Sequence, residues 1–212
     1  MNKMKLIIAS LLSMFMLNTV KAQAIFQGDV IIDGYYGFPN LYKTVFKAAN
    51  ASSGNEMNLN VKGIGPLGGR VEYLFTDKIG LGLDIGFTNT HIDYLEKEEV
   101  YNENTGYFED KVYRYDLDTR KIGVMVTFNY HFVENSEKVD AYVMAGAGYA
   151  NRNFNATSTN PDFNNDISQG LIPIAFRIGV GMRYFFTEKF GANIAVGLGQ
   201  GGILNAGLSF KL

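Results

Sequence analysis

From Ile172 to Phe186 every second residue is large and apolar: Ile172, Ile174, Phe176, Ile178, Val180, Met182, Tyr184 and Phe186. The positions between them, from Pro173 to Arg183, hold Pro, Ala, Arg, Gly, Gly and Arg. Side chains alternate across a β-strand with a period of two, so this stretch is a strand with one bulky apolar face and one small or cationic face. A chain that repeats this pattern must bury the bulky face in a core or turn it toward lipid, and both solutions are closed or sandwiched sheets.

The pattern comes back as a near copy. Arg70 to Gly86 and Gly181 to Gly197 align at an offset of 111 residues. Tyr73/Tyr184, Phe75/Phe186, Thr76/Thr187, Lys78/Lys189, Gly80/Gly191 and Gly86/Gly197 are identical, and Asp77/Glu188 keeps its charge. Each copy reads as strand, polar turn, strand, which is a β-hairpin.

Taken in order, the alternation gives eight strands: 26–36, 63–75, 79–88, 121–132, 139–151, 172–186, 191–198 and 204–212. The face assignment is least distinct in the fifth, where Val143, Ala145, Ala147 and Tyr149 oppose Tyr142, Met144, Gly146 and Gly148. Long connections are expected at 38–60, 88–120 and 152–170, with short ones between them. Around Asn102-Glu103-Asn104-Thr105-Gly106, a turn cluster, Tyr and Val residues remain spaced on both sides. The third and fourth strands therefore continue outward as a water-exposed hairpin. The fold class is all-β, an eight-stranded antiparallel barrel.

The first residues are of another kind. Lys3 and Lys5 precede an apolar run from Leu6 to Leu17, and Ala22-Gln23-Ala24 offers small residues at the spacing of a signal-peptidase site. The run is shorter than the ~20 residues a helix needs to span a bilayer. Residues 1–24 are thus expected to be a secretory signal peptide, cleaved after Ala24 or Ala22, with 25–212 as one barrel domain. The chain has no Cys, which excludes a lipoprotein anchor and a disulfide scaffold. Without Lys3, Lys5 and Lys21, 16 of its 19 basic residues stand against 21 acidic ones, so no nucleic-acid partner is expected.

Which face points inward follows from size and charge. An eight-stranded barrel has an interior just wide enough for side chains, and the polar face here is rich in Gly, Ala and Ser with a few charges. A soluble barrel would show water a face dense in Lys and Glu. The bulky face is therefore expected to meet lipid. Tyr73, Phe75, Tyr130, Phe132, Tyr184, Phe186 and Phe190 lie beside the short turns, where an interfacial aromatic girdle belongs.

On these grounds the chain resembles the eight-stranded outer-membrane β-barrels of Gram-negative bacteria, such as the OmpA transmembrane half and OmpX. It resembles more closely the outer membrane β-barrel proteins of Bacteroidetes, which include PorT-like members. The resemblance is carried by the Tyr-x-Phe-Thr-(Asp/Glu)-Lys-x-Gly hairpins at 73–80 and 184–191, by Gly146-x-Gly148-Tyr149, and by the alternating last strand ending Phe210-Lys211-Leu212. The family's last strand usually ends in an aromatic residue, whereas here Phe210 stands two before Leu212. The resemblance implies outer-membrane localisation, contact with outer-membrane lipids and the barrel-insertion machinery, and an extracellular or envelope protein partner met through the loops.

The candidate functional residues are the polar set of the inner face: Asp29, Asp33, Arg70, Glu72, Asp84, Lys121, Asn129, His131, Arg177, Arg183, Asn193 and Lys211. Acids and bases nearly balance, and charges with little water must pair, so a salt-bridged plug is the expectation. The residues suggest no cofactor and no metal. The acidic stretch of Glu96, Glu98, Glu99, Glu103, Glu109 and Asp110 lacks the ligand spacing of a calcium loop. Nucleophilic catalysis needs a base beside a hydroxyl, and neither His91 nor His131 stands in such a motif. The expected role is a membrane anchor presenting surface loops, with a narrow conduit or PorT-like secretion-assembly component as the alternative, and a lipid hydrolase as the weakest reading.

Overall fold

The computed structural model describes residues 23–40, 43–45, 47–48, 58–164 and 173–212. The expected signal peptide lies outside them except for Gln23 and Ala24, as does Ile172. Eight strands follow one another: β1 (Val30–Phe38), β2 (Asn60–Leu74), β3 (Ile79–Asn102), β4 (Tyr107–His131), β5 (Val139–Ser158), β6 (Ile174–Phe185), β7 (Phe190–Gly199) and β8 (Leu204–Lys211). Each pairs antiparallel with its neighbour in sequence, and β1 pairs with β8 to close the barrel. Closure leaves no free edge around the ring.

The alternation sets the faces. In β6, Ala175, Arg177 and Arg183 are buried while Phe176, Ile178, Val180, Met182 and Tyr184 are exposed. The same inversion holds in β4, where Met125, Thr127, Asn129 and His131 are inside and Val124, Val126, Phe128 and Tyr130 outside. Buried polar residues and exposed large apolar ones are the reverse of a water-soluble domain. Small inner residues leave room for the polar cluster: a methyl added to Gly80 would lie 2.1 Å from Glu72 Oε1.

Two departures from expectation concern strand ends. Phe26–Asp29 is a turn, not the start of the first strand: Asp29 N donates to Phe26 O (3.1 Å) and Phe26 N donates to the Asp29 carboxylate (2.9 Å). Ala24 and Ile25 instead fold under the short-turn end, buried with Ile31, Leu74 and Phe185. The fifth strand runs to Ser158, because Asn151 to Ser158 stay paired with β4 up to Tyr115. As expected, the third and fourth strands continue outward as a hairpin: residues 88–120 are strand throughout apart from the turn at 103–106, a two-stranded ribbon. At the other end of the ring, β7 and β8 are joined by Gln200-Gly201-Gly202, whose glycines take φ of 87° and 78°. That turn folds the Gln200 side chain back into the lumen, where it is buried.

Candidate functional site: a charged lumen and a projecting ribbon

Arg183 is the hub of the lumen. Its Nε donates to Asp33 Oδ1 (3.0 Å), its Nη2 to Asp33 Oδ2 (2.7 Å) and Glu72 Oε2 (2.6 Å), and its Nη1 to Asp140 Oδ2 (2.8 Å). The guanidinium lies 4.4 Å from the centre of the Tyr142 ring. Arg70 adds a second fork to Asp33 and donates to the Tyr142 hydroxyl (2.6 Å). His131 sits between Asp140 Oδ1 at Nδ1 (2.7 Å) and Glu72 Oε1 at Nε2 (3.0 Å). Ser209 donates to Asp33 Oδ1 (2.7 Å) and Asn129 to Glu72 Oε1 (2.5 Å).

All of these groups are at most 5% exposed, in a low-dielectric interior where an unpaired charge is costly. With His131 as imidazolium the cluster holds three cationic side chains, Arg70, His131 and Arg183, against Asp33, Glu72 and Asp140. Shared, multiply bonded charges of this kind fix side-chain positions more than they add net stability. With both His131 nitrogens held by carboxylates, neither is left to take a proton from a hydroxyl.

The other inner residues belong to separate groups. Asp84 accepts from the Tyr35 hydroxyl (2.9 Å) and Gln200 Nε2 (2.6 Å). Arg177 Nη1 donates to the carbonyls of Gln200 and Gly202, while its Nε and Nη2 make no hydrogen bond within the described residues. Asn193 donates to Leu208 O (2.8 Å) and Ser209 Oγ (3.1 Å). Lys121 is half-buried near the long-strand mouth, in register with Arg152. It helps line a cavity of about 70 Å³ with Pro39, Pro66, Thr88 and Gln200. Asp29 and Lys211 lie at the short-turn rim, 3.8 Å apart, and Lys211 Nζ donates to Ala24 O (2.7 Å).

Sequence reasoning placed Tyr142 on the face of Met144 and Gly146 without counting it in the polar inner set, and it left out Asp140, because the face assignment of the fifth strand was indistinct. Had the alternation been carried back two residues from Tyr142, Asp140 would have fallen on the inner face. Gln200 was missed because a tight-turn residue carries no periodic signal. The seven aromatic residues expected at the girdle all point outward near the short turns, each between 41% and 54% exposed. Tyr73 and Phe75 pack edge to face, with ring centres 4.9 Å apart.

At the opposite end the ribbon of β3 and β4 rises past its neighbours. The last β2–β3 pair is Asn60 with Asp93, so among the described residues β3 has no strand partner on that side from Tyr94 to Asn102. The connection between β5 and β6 braces its base. Asn160 Nδ2 donates to Glu98, and Tyr115 donates to Glu98 Oε1 (2.7 Å), stacks on Tyr94 with centres 5.1 Å apart and meets the edge of Phe163. Burial, then the bond to Glu98, pushes the Tyr115 phenol up. Toward the tip Tyr101, Tyr107 and Phe108 are exposed.

Comparison with known proteins bears on where such a barrel resides. No curated protein matches the chain. It is similar to the N-terminal β-barrel domain of OprF from Pseudomonas aeruginosa, at 20% identity and a TM-score of 0.45 over 89% of this chain and 100% of that one. It is also similar to the Outer Membrane Protein W of E. coli, at 16% identity and a TM-score of 0.43 over 88% of this chain and 99% of that one. OprG from Pseudomonas aeruginosa aligns at 15% identity and a TM-score of 0.40, over 88% and 97% of the two chains. The family model of the outer membrane protein beta-barrel domain matches residues 7–203, nearly the whole length, and the chain belongs to that family of outer-membrane barrels.

Proposed function

We propose that this protein is a non-enzymatic outer-membrane anchor whose β3–β4 ribbon and neighbouring connections, at 39–59 and 159–173, contact an extracellular or envelope protein. The observation that carries this reading is strand length. A tilted strand crosses a bilayer in about 9–11 residues, whereas β3 and β4 run 24 and 25. The excess presents Tyr101, Tyr107 and Phe108 together with backbone groups that have no strand partner among the described residues, the combination that recruits a partner strand. The lumen supports an anchoring role, since Arg183 and Glu72 fill its centre with no exposed surface. Membrane lipids surround the barrel, and the insertion machinery delivers it.

Replacing residues 96–113 by an Asn-Gly turn is the test. The barrel should still fold, seen as a heat-modifiable band on a gel, while neighbours crosslinked to it in intact cells disappear. Unchanged crosslinked neighbours would contradict the reading.

A second reading is a narrow conduit or a secretion-assembly component of the PorT kind, as the Bacteroidetes resemblance implies. It is favoured by the cavity at the outer mouth and by the polar column beneath it. Steady conductance in a planar bilayer at neutral pH would support it, and a silent bilayer would remove the conduit.

A further inference from the structure

The outward wall changes character at one level. On the outward face of β3 and β4 the apolar pair Phe87 and Ile122 is followed by three polar pairs in register, Asn89 with Arg120, His91 with Asp118, and Asp93 with Asp116. The last two pairs place an imidazole and three carboxylates on one face, just above the hydrocarbon level. Ligand atoms of His91, Asp93 and Asp116 all lie within 4.8 Å of one another. His91 Nε2 is 3.5 Å from Asp93 Oδ1. Ligands each about 2.0–2.2 Å from a zinc ion stand about 3.3–3.6 Å apart at tetrahedral angles, so small side-chain rotations close the set.

The surroundings are those of a metal ligand sphere. Asp118 Oδ1 lies 2.9 Å from His91 Nδ1. When Nδ1–H donates there, the Nε2 lone pair is turned toward Asp93, the carboxylate–histidine arrangement that orients a metal-bound imidazole. Asn60 Nδ2 donates to Asp93 Oδ1 (3.1 Å), fixing that carboxylate from the end of β2. Arg114 pairs with Asp116 (3.2 Å), Lys62 stands in register with His91, and Arg120 stands opposite Asn89 in the pair next to His91 and Asp118. An imidazole in the set selects late first-row ions over Mg²⁺ and Ca²⁺, which prefer oxygen alone.

We propose that His91, Asp93 and Asp116 bind one divalent transition-metal ion of the Zn²⁺ type, with Asp118 as the positioning residue for His91. The ion bridges β3 and β4 at the level of the last β2–β3 pair, Asn60 with Asp93, so it clamps the root of the ribbon. The site depends only on strand register and is independent of what the ribbon contacts.

The test is calorimetric titration of the full-length refolded protein in detergent, stripped by chelator and then dialysed free of it, with ZnCl₂. The expected result is one ion per chain with micromolar affinity. His91→Ala should abolish saturable binding. Asp118→Asn should keep the stoichiometry and weaken affinity about 10–100-fold, the usual cost of losing an orienting carboxylate. Asp110→Asn, at the ribbon tip, should change nothing. None of the three positions is buried, and the heat-modifiable band reports that each variant is folded. The proposal is overturned if the wild-type protein takes up no zinc, if His91→Ala binds as well as wild type, or if equimolar Mg²⁺ displaces the zinc.

Discussion

The two hairpins that share a sequence, β2–β3 and β6–β7, stand opposite one another in the ring, four strands apart. Their outer faces and turns are built alike. Thr76 Oγ1 accepts from Ile79 N (3.0 Å), and Thr187 Oγ1 accepts from Phe190 N (2.9 Å). Tyr73 beside Phe75 and Tyr184 beside Phe186 face outward at the same end. The inner faces differ at the position that matters most: Glu72 in one copy corresponds to Arg183 in the other, and the two meet across the lumen at 2.6 Å. Lipid and turn geometry make the same demand on both hairpins, whereas a narrow lumen requires opposite charges to face each other. The repeat is thus conserved in form outside and complementary inside.

That comparison is broken most severely at its centre. Arg183→Leu leaves Asp33, Glu72 and Asp140 with Arg70 and His131 only, and should cost about 3–5 kcal/mol, the usual penalty for orphaning a buried charge. Glu72→Gln removes one of the three carboxylates that Arg183 serves and should cost less. Urea titration followed by far-ultraviolet circular dichroism measures both, and equal losses would mean that the two positions are interchangeable. Charge reversal should therefore not rescue: Glu72→Arg with Arg183→Glu places a carboxylate against Asp33 and Asp140 and should be worse than Glu72→Gln alone.

The outer face gives the next effect. Val180→Arg, in the middle of β6, puts a charge in hydrocarbon and should cost about 2–4 kcal/mol, read from the same titration in lipid vesicles. A neutral result would place that face in water. The turns should respond less and equally: Thr76→Ala and Thr187→Ala each lose hydroxyl acceptance at one turn and should cost about 1 kcal/mol, with unequal losses marking a difference between the hairpins.

The smallest effect lies in the ribbon, which has no counterpart in β6–β7. Because the folded structure raises the Tyr115 phenol, the stability it contributes is intact below the ordinary tyrosine value of about 10. It falls as pH climbs from there through the raised folded value, since the unfolded chain ionises first. Amide exchange at 94–115 should accelerate above that pH, and Tyr115→Phe should reduce the acceleration. An identical profile in the variant would show that the phenol is not involved.

Most of the barrel was legible because a period of two is a local property. Ile174 to Tyr184 state the phase of β6 without reference to any other strand, and the polar face read from that phase contains Arg177 and Arg183. The lumen's pairing was not legible, because which carboxylate Arg183 meets depends on the stagger of eight strands. Asp140 is its cross-strand partner on β5, but Asp33 on β1 and Glu72 on β2 reach it only because the ring closes. The first strand's early residues misled for a related reason: Phe26 and Gly28 keep the period, yet Asp29 captures the Phe26 amide and turns the chain. In the ribbon, cross-strand register alone brings His91 to Asp118, 27 residues apart.

The central claim is that bulky residues face hydrocarbon around a closed polar interior. The chain has no Cys, so single cysteines introduced from 174 to 185, spin-labelled in lipid vesicles, report each position without background. Oxygen, which partitions into lipid, should relax labels at 174, 176, 178, 180, 182 and 184 strongly and those between them weakly. A profile without that two-residue period, or one with maxima at the odd positions, would contradict the account.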